Sequence, residues 1–206
     1  MINILYDCFK HWSKTGSVYI YSDTHFSDAE HFKLLKANGH VPEGINTVEE
    51  LDELQIKNIN AVCHKCDTLI LLGDVGNVEL VKRLKAGNKI LVTGNHDHGK
   101  EYYKSYFSEN MVFSGLLTIS DKIILSHEPL VPCPKYLVNL HGHTHDRPHK
   151  YDFNEHLYYN FCAEAIGYKP ISLSKLIKEG LLSKVDDIHR VAVDRAIDRK
   201  AKRTKS

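Results

Sequence analysis

The sequence predicts an α/β fold, because short apolar runs alternate with helical segments through the first half of the chain. Each run has the length and composition of a buried strand, and the runs cover residues 18–21, 69–72, 90–92, 123–125 and 137–140. Strands that alternate with helices are typical of parallel βαβ units. The second half of the chain instead predicts shorter strands that include a hairpin.

The helices are predicted from their ends and their apolar faces. Thr47 and Glu50 have the spacing of a capping box, and the apolar residues after them fall on one face of a helix that should end near His64. A second helix is predicted over residues 77–85, with Gly87 as its terminator. The remaining predicted elements are strands over 89–92, 116–119, 123–126 and 157–161 and helices over 172–179 and 184–202.

Length and composition predict one globular domain. The chain has 206 residues, of which 42% are hydrophobic and 26% charged, as is usual for a domain with a sizeable core. No apolar run approaches the ~20 residues of a membrane span, and the start lacks the features of a signal peptide. Five cysteines without framework spacing favour a reducing, cytoplasmic environment. The predicted organisation is an N-terminal extension (1–16), a central domain (17–183) and an amphipathic helix with a basic tail (184–206).

Charge is nearly balanced over the whole chain but not at its end. The formal net charge is +1, which gives no global attraction to nucleic acid. Residues 195–206 nevertheless contain six basic residues and one acidic residue. We interpret this tail as a solvated helix end, with an electrostatic handle for RNA, DNA or another anionic partner as the alternative. The sequence predicts no oligomeric state.

Five short polar motifs follow the predicted strands. They are Asp23-Thr24-His25, Gly73-Asp74, Gly94-Asn95-His96-Asp97, Ser126-His127 and Gly142-His143-Thr144-His145. Functional sites of α/β proteins form where strands end. A set of carboxylate, imidazole and amide ligands is more typical of a site for Mn, Fe, Zn or Ni than of a structural zinc site. Because residues two apart in an extended segment point to the same side, His143 and His145 are expected to face one site.

In this order the motifs D-x-H, G-D, G-N-H-D, H and G-H-x-H resemble the calcineurin-like metallophosphoesterases over residues 18–171. The segments 22–26 and 168–173 resemble a branch of small, single-domain bacterial and phage phosphoesterases. The resemblance implies a four-layer α/β/β/α sandwich, with two mixed sheets flanked by helices. One departure is that Ser27-Asp28 stands where this branch often has Gly-His. If that histidine contacts the substrate or leaving group in relatives, the role is either absent here or taken by Asp28 with the opposite charge.

The resemblance also implies two divalent metal ions, with manganese expected and iron, zinc or nickel as alternatives. It assigns seven ligands: Asp23, His25 and His145 on one ion, Asn95, His127 and His143 on the other, and Asp74 as the bridge. A hydroxide held between two such ions would attack phosphorus. His96 would neutralise the phosphoryl group or protonate the leaving oxygen, and Asp97 is expected to fix the tautomer of the His96 ring.

Three functions follow from these motifs. The leading prediction is a phosphoesterase that hydrolyses a small phosphodiester or phosphomonoester in an open cleft, with aryl diesters preferred. The alternatives are a nuclease or RNA-end-processing phosphatase with the same site, and a non-catalytic protein-binding scaffold. The complete ligand set favours catalysis over the scaffold, and the slightly acidic body disfavours a polymer substrate.

Residues outside the motifs are interpreted as structural. Cys63 and Cys66 are predicted to be packing thiols, with a metal or redox role as the alternative. The tyrosines and phenylalanine that follow His96 are expected to pack in the core or, failing that, to stack on an aromatic leaving group. His98 and His149 are kept as substrate contacts near the pocket. The remaining histidines are interpreted as ordinary residues: His11, His31, His40, His64, His141, His156 and His189.

Overall fold

The computed structural model of the chain describes residues 2–4, 16–132 and 134–185. Most of the predicted N-terminal extension, nearly all of the predicted helix over 184–202 and the whole basic tail therefore lie outside the described residues. The strands are β1 Ile2–Ile4, β2 Val18–Tyr21, β3 Thr68–Leu71, β4 Asn88–Val92, β5 Val112–Phe113, β6 Leu116–Thr118, β7 Ile123–Leu125, β8 Val138–His141, β9 Lys150–Phe153, β10 His156–Asn160 and β11 Ile171–Ser172. The α-helices are α1 Ala29–Ala37, α2 Val48–Val62, α3 Lys100–Tyr103 and α4 Leu173–Lys178, and 3-10 turns cover Val78–Arg83, Glu164–Ile166 and Leu181–Lys184.

The strands form two mixed sheets. The five-stranded sheet has the order β11-β2-β3-β4-β5, in which β2 to β5 are parallel and β11 is antiparallel to β2. The six-stranded sheet has the order β1-β6-β7-β8-β10-β9. Its pairs β6–β7 and β9–β10 are antiparallel, and the others are parallel. The predicted hairpin over 116–126 is thereby confirmed.

Alternation along the strands separates two hydrophobic cores. On β2, Val18 and Ile20 belong to a buried cluster that also contains Leu125 and Leu140 of the six-stranded sheet, so this cluster lies between the sheets. Their neighbour Tyr21 belongs to a second cluster together with residues of α1 and α2, on the opposite face of the five-stranded sheet. The predicted α/β class, with two mixed sheets flanked by helices, is confirmed.

The predicted helices agree with the structure where local signals set their ends. Helix α2 starts at the predicted capping box, with the Glu50 amide donating to Thr47 Oγ1 at 3.2 Å. The prediction of a helix over 77–85 is wrong in type, because the segment is a 3-10 turn that ends at Arg83. Asn60 of α2 donates to the Arg83 carbonyl and accepts from the Lys85 amide, so the helix cannot continue there. None of the helices in the described part of the chain is long and apolar enough to cross a bilayer.

Candidate metal centre

The five polar motifs meet at one end of the two sheets. Asp23, Asp74 and Asn95 follow the parallel strands β2, β3 and β4, whose C-terminal ends share one edge. His127 and His143 follow the parallel strands β7 and β8 of the other sheet. The structure therefore brings the predicted ligands together although they are spread over much of the sequence.

One group of side chains, the Asn95 cluster, consists of Asp74, Asn95, His127 and His143. Asn95 Oδ1 lies 2.7 Å from His127 Nε2 and 3.0 Å from His143 Nδ1. His127 Nε2 lies 3.3 Å from Asp74 Oδ2 and 3.2 Å from His143 Nδ1. Four potential ligand atoms therefore face one small volume, and three of these residues form a group that could hold a metal ion.

A second group, the Asp23 cluster, consists of Asp23, His25, Asp74 and His145. Asp23 Oδ1 lies 3.6 Å from His145 Nε2, and His25 Nε2 lies 3.7 Å from Asp74 Oδ2. Asp74 Oδ2 thus faces both clusters, which is the position that the family resemblance implies for a bridging carboxylate. The backbone amide of His143 also links the clusters, because it donates to Asp23 Oδ2 at 3.0 Å.

The chemistry of the Asp23 cluster fits a divalent cation. Asp23 Oδ1 and His25 Nε2 are buried and have no hydrogen-bond partner within the described part of the chain. A buried polar atom left without a partner costs roughly 1–3 kcal/mol. Oxygen and imidazole ligands together suit borderline divalent metals. A bound cation would satisfy both atoms, so the residues present fit such an ion.

The motif glycines leave room for the carboxylates. A Cβ on Gly94 would lie 2.2 Å from Asp74 Oδ1, and a Cβ on Gly142 would lie 2.2 Å from Asp23 Oδ2. Both distances are shorter than any van der Waals contact, so a side chain at either position would displace a proposed ligand. The glycines of the G-N-H-D and G-H-x-H motifs are thus explained by the close approach of these backbone segments to Asp74 and Asp23.

Four of the predicted ligand residues have left-handed backbone conformations. The φ angles are 55° at Asp23, 41° at His25, 51° at Asp74 and 66° at His143. Such conformations cost a non-glycine residue about 1–3 kcal/mol and occur mainly at functional sites. The prediction that His143 and His145 lie in an extended segment is wrong, because the backbone at His143 is left-handed, although both rings face the same centre. The turn at His143 directs its ring to the Asn95 cluster, while the His145 ring reaches the Asp23 cluster.

Three imidazoles are oriented by acceptors on their outer nitrogen. His127 Nδ1 lies 2.8 Å from the Leu72 carbonyl, and His145 Nδ1 lies 2.7 Å from Glu164 Oε1. His25 Nδ1 lies 3.2 Å from Asp28 Oδ2. A proton held at each Nδ1 leaves Nε2 unprotonated for a metal, which is how second-layer groups tune histidine ligands.

The sequence did not indicate that Asp28 and Glu164 orient histidines of the Asp23 cluster. The sequence suggested Asp28 only as a substitute substrate contact, whereas the structure uses it to orient His25 and to cap α1. Its position three residues after His25 was a usable signal. Glu164 lies on a 3-10 turn after β10, far from every motif along the sequence, yet its side chain is buried against His145. Nothing local in the sequence indicates that contact.

Asp74 and His127 form a buried, oppositely charged pair when no metal is bound. Burial alone would raise the pKa of Asp74, but the hydrogen bond and charge of His127 lower that pKa to about 2. Burial would likewise lower the pKa of His127, yet Asp74 and Asp23 raise that pKa to about 9. A cation that binds at His127 Nε2 must therefore displace a proton.

Asp97 has a different role from the predicted one. Its Oδ2 accepts from the backbone amides of Asp74 (2.9 Å) and Gly94 (2.8 Å), and its Oδ1 accepts from the Val75 amide and the Tyr103 hydroxyl, both at 3.0 Å. The prediction that Asp97 fixes the tautomer of the neighbouring histidine ring is wrong, because both oxygens are used by other donors. Asp97 instead joins the loop after β3 to the loop after β4.

His96 lies at the exposed rim of the centre. Its backbone amide donates to Asp74 Oδ1 at 2.9 Å, and its ring centroid is 5.7 Å from that of the buried His25. The described residues give the His96 ring no hydrogen bond. The ring is therefore near both the Asp23 cluster and solvent, where an incoming substrate could meet it.

Two residues outside the motifs, His31 and Cys162, lie against the Asp23 cluster. His31 stacks on His25, with ring centroids 3.7 Å apart, although it was interpreted as an ordinary residue. Cys162 Sγ lies 3.5 Å from Asp23 Oδ2 in the buried interior, and no motif marked it. The predicted packing role of Cys63 is confirmed, since it is fully buried in the helix-side core.

The aromatic residues after His96 divide between core and surface. Tyr103 and Phe107 are buried in the core, as predicted, while Tyr102 is 52% exposed and its ring lies 4.5 Å from that of His98. His149 packs against the core residues Tyr159 and Phe161.

Comparisons with known proteins give the fold wider support without giving a function. No family model matches the chain. An uncharacterized protein, MJ1445, of Methanocaldococcus jannaschii is 28% identical over 176 residues, which are 78% of this chain and 89% of that protein. The crystal structure of AQ665 from Aquifex aeolicus, a protein of unknown function, is similar with a TM-score of 0.60 and 26% identity, over 80% of this chain and 99% of that one. A Vps29 mutant from Entamoeba histolytica reaches a TM-score of 0.41 at 15% identity, over 71% and 74% of the two chains.

Proposed function

We propose that this chain is a metal-dependent phosphoesterase of the calcineurin-like superfamily, in its small single-domain branch, that hydrolyses a small phosphodiester or phosphomonoester. The observation that carries the proposal is the pair of ligand clusters that share Asp74 Oδ2. The unpartnered buried ligand atoms of Asp23 and His25 support it. Two divalent cations, with manganese first and iron, zinc or nickel as alternatives, would acidify a water molecule and neutralise phosphate charge when bound.

The ligand set itself favours an anionic substrate. Asp23 and Asp74 are the two carboxylates among the seven proposed ligands, and Asn95 and the histidines are neutral when they bind a metal. Two divalent cations would therefore carry more positive charge than the carboxylates cancel. A phosphate ester brings the compensating negative charge to a site whose Asn95 and His96 are exposed to solvent.

His96 is the proposed general acid. Its ring lies beside His25 and is not held by Asp97, so it can turn toward the phosphoryl group or the leaving oxygen. A positioned proton donor contributes typically ~10²–10⁴-fold to such a step. Asp97 acts indirectly in this proposal, because it fixes the backbone that carries Asp74 and thereby both clusters.

Hydrolysis of defined esters by the full chain tests the proposal. The metal-free protein, the Mn²⁺-loaded protein and the loaded protein with excess chelator are compared on an aryl phosphodiester, the matching monoester and a short RNA. We expect hydrolysis of the small esters only in the loaded state, with the diester faster because it leaves less charge to neutralise. If the loaded protein holds two ions but cleaves neither small ester, the proposed function is wrong. RNA cleaved in preference to both would favour the nuclease.

A further inference from the structure

His31 extends the Asp23 cluster by a third imidazole. Its ring stacks on His25 at a centroid distance of 3.7 Å and an interplanar angle of 16°. Its centroid is 4.6 Å from that of His145. One ring nitrogen from each of these three residues lies within 4.8 Å of the other two. No motif discussed above includes His31, and the seven proposed ligands do not need it.

The position of His31 is fixed by the same carboxylate that orients His25. Asp28 Oδ1 accepts from the His31 backbone amide at 2.9 Å, and Asp28 Oδ2 lies 3.2 Å from His25 Nδ1. Ser27, which lies between His25 and Asp28 in the sequence, is also anchored, because its amide donates to the buried Asp52 carboxylate at 3.0 and 3.2 Å. The His31 backbone is therefore held beside His25 by a built structure and does not depend on a free surface loop.

One nitrogen of each stacked ring lacks a hydrogen-bond partner within the described residues. His25 Nε2 and His31 Nε2 are both buried and unpaired within the part of the chain that the structure describes. A buried imidazole nitrogen is normally satisfied by a hydrogen bond or a metal. Ligand nitrogens about 2.0–2.1 Å from one ion lie at most roughly 4 Å apart. The observed limit of 4.8 Å is close to this spacing. Because stacked rings cannot both direct their in-plane nitrogen lone pairs at one ion, the His31 ring must rotate out of the stack when all three residues share an ion.

We propose that His31 is an additional ligand of the divalent cation held by Asp23, His25 and His145, which rests on the metal centre of the proposed function. A third imidazole makes this half of the centre softer than a carboxylate-rich site. Imidazole nitrogen favours zinc, nickel or iron over magnesium, whose preferred ligands are oxygens. His31 therefore strengthens binding at this half of the centre and shifts its selectivity toward borderline metals.

The test uses the metal-free full-length chain, titrated with Zn²⁺ and separately with Mn²⁺ in the absence of any ester. The variants are His31→Ala, His31→Gln, and His40→Ala as the matched control, an exposed histidine just after α1. Alanine at position 31 preserves the helix, because it is the best helix former. Circular dichroism of the metal-free variants verifies the fold, and His31→Gln takes the place of the alanine variant should that one not fold.

We expect His31→Ala to weaken one of two Zn²⁺ sites by at least about 10–100-fold, the range seen when even an outer-layer partner of a ligand is removed. The Mn²⁺ affinity of that site should fall less, the other site should not change, and His40→Ala should match the unaltered protein. His31→Gln, which keeps an amide oxygen, should lie between the two. Unchanged affinity at both sites in His31→Ala overturns the inference.

The titration also separates this inference from the proposed function. If the protein hydrolyses no ester but His31→Ala loses Zn²⁺ affinity, the function is wrong and the ligand role of His31 stands. If the ester is hydrolysed and His31→Ala lowers turnover at saturating metal with both affinities unchanged, His31 contacts the substrate instead. That outcome overturns the inference and leaves the phosphoesterase intact.

Discussion

Asp97→Ala should destabilise the metal-free protein strongly, because Asp97 is the common acceptor that joins two loops of the centre. The substitution removes the acceptor for three backbone amides and the Tyr103 hydroxyl. At about 1 kcal/mol for each hydrogen bond, and with water replacing part of the loss at this half-buried position, we expect a cost of about 3 kcal/mol in the free energy of unfolding. For a chain of this length, that corresponds to a fall in Tm of about 6–12 °C.

Thermal unfolding of the metal-free protein measures this effect without any contribution from metal binding. Tyr103→Phe removes one of these four hydrogen bonds and also the one that the hydroxyl accepts from the His98 amide, so it should cost about 2 kcal/mol. In the Asp97→Ala background the tyrosine substitution should cost only about 1 kcal/mol, because the hydrogen bond to Asp97 is already gone and only the one from the His98 amide remains to be lost. Asp121→Ala, which removes an exposed carboxylate in the turn after β6, is the matched control.

Two results would refute this reasoning. The first is a Tm of Asp97→Ala equal to that of the Asp121→Ala control, combined with a loss of turnover equal to that of His96→Ala. It would show that Asp97 serves the histidine ring, as the sequence suggested. The second is full additivity of Asp97→Ala and Tyr103→Phe, which would show that the hydrogen bond between the two side chains does not contribute to stability.

Three further predictions follow from the geometry of the centre. His96→Ala should keep both metals by elemental analysis but lose turnover by ~10²–10⁴-fold; an empty site in a folded variant would contradict the assigned role. Asp74→Asn should lower the occupancy of both ions, because it alters the oxygen that faces both clusters, and normal metal content would argue against the bridge. Metal affinity, measured with a competing chelator, should rise with pH toward about 9. Asp74 and Asp23 raise the pKa of His127 to about 9, and the His127 proton must leave before a cation binds. A metal affinity that does not depend on pH would exclude this coupling.

The sequence predicts well those features that depend on local signals. The capping box at Thr47 sets the start of α2, and short apolar runs mark the strands that build both cores. The candidate ligands were predicted from the family resemblance and from their positions after buried strands, and parallel strands place their C-terminal ends at one edge of a sheet. Even the glycines of the motifs have a local meaning, which the close approach of Gly94 to Asp74 explains.

Features that depend on tertiary placement could not be predicted. The left-handed conformations at Asp23 and His143 occur at residues that are not glycine, so no residue type marks them. The buried contact between Glu164 and His145 joins a turn after β10 to a motif after β8. The stacking of His31 on His25 requires that Asp28 both cap α1 and orient a ligand, and the sequence alone does not show that one carboxylate does both.

Anomalous diffraction from a crystal of the Mn²⁺-loaded chain tests the central claim most directly, because it locates each ion relative to the side chains. The proposed centre predicts two anomalous peaks, one in the Asp23 cluster and one in the Asn95 cluster, with Asp74 in contact with both. A single peak, or peaks that leave either cluster without an ion at saturating Mn²⁺, would contradict the two-metal account.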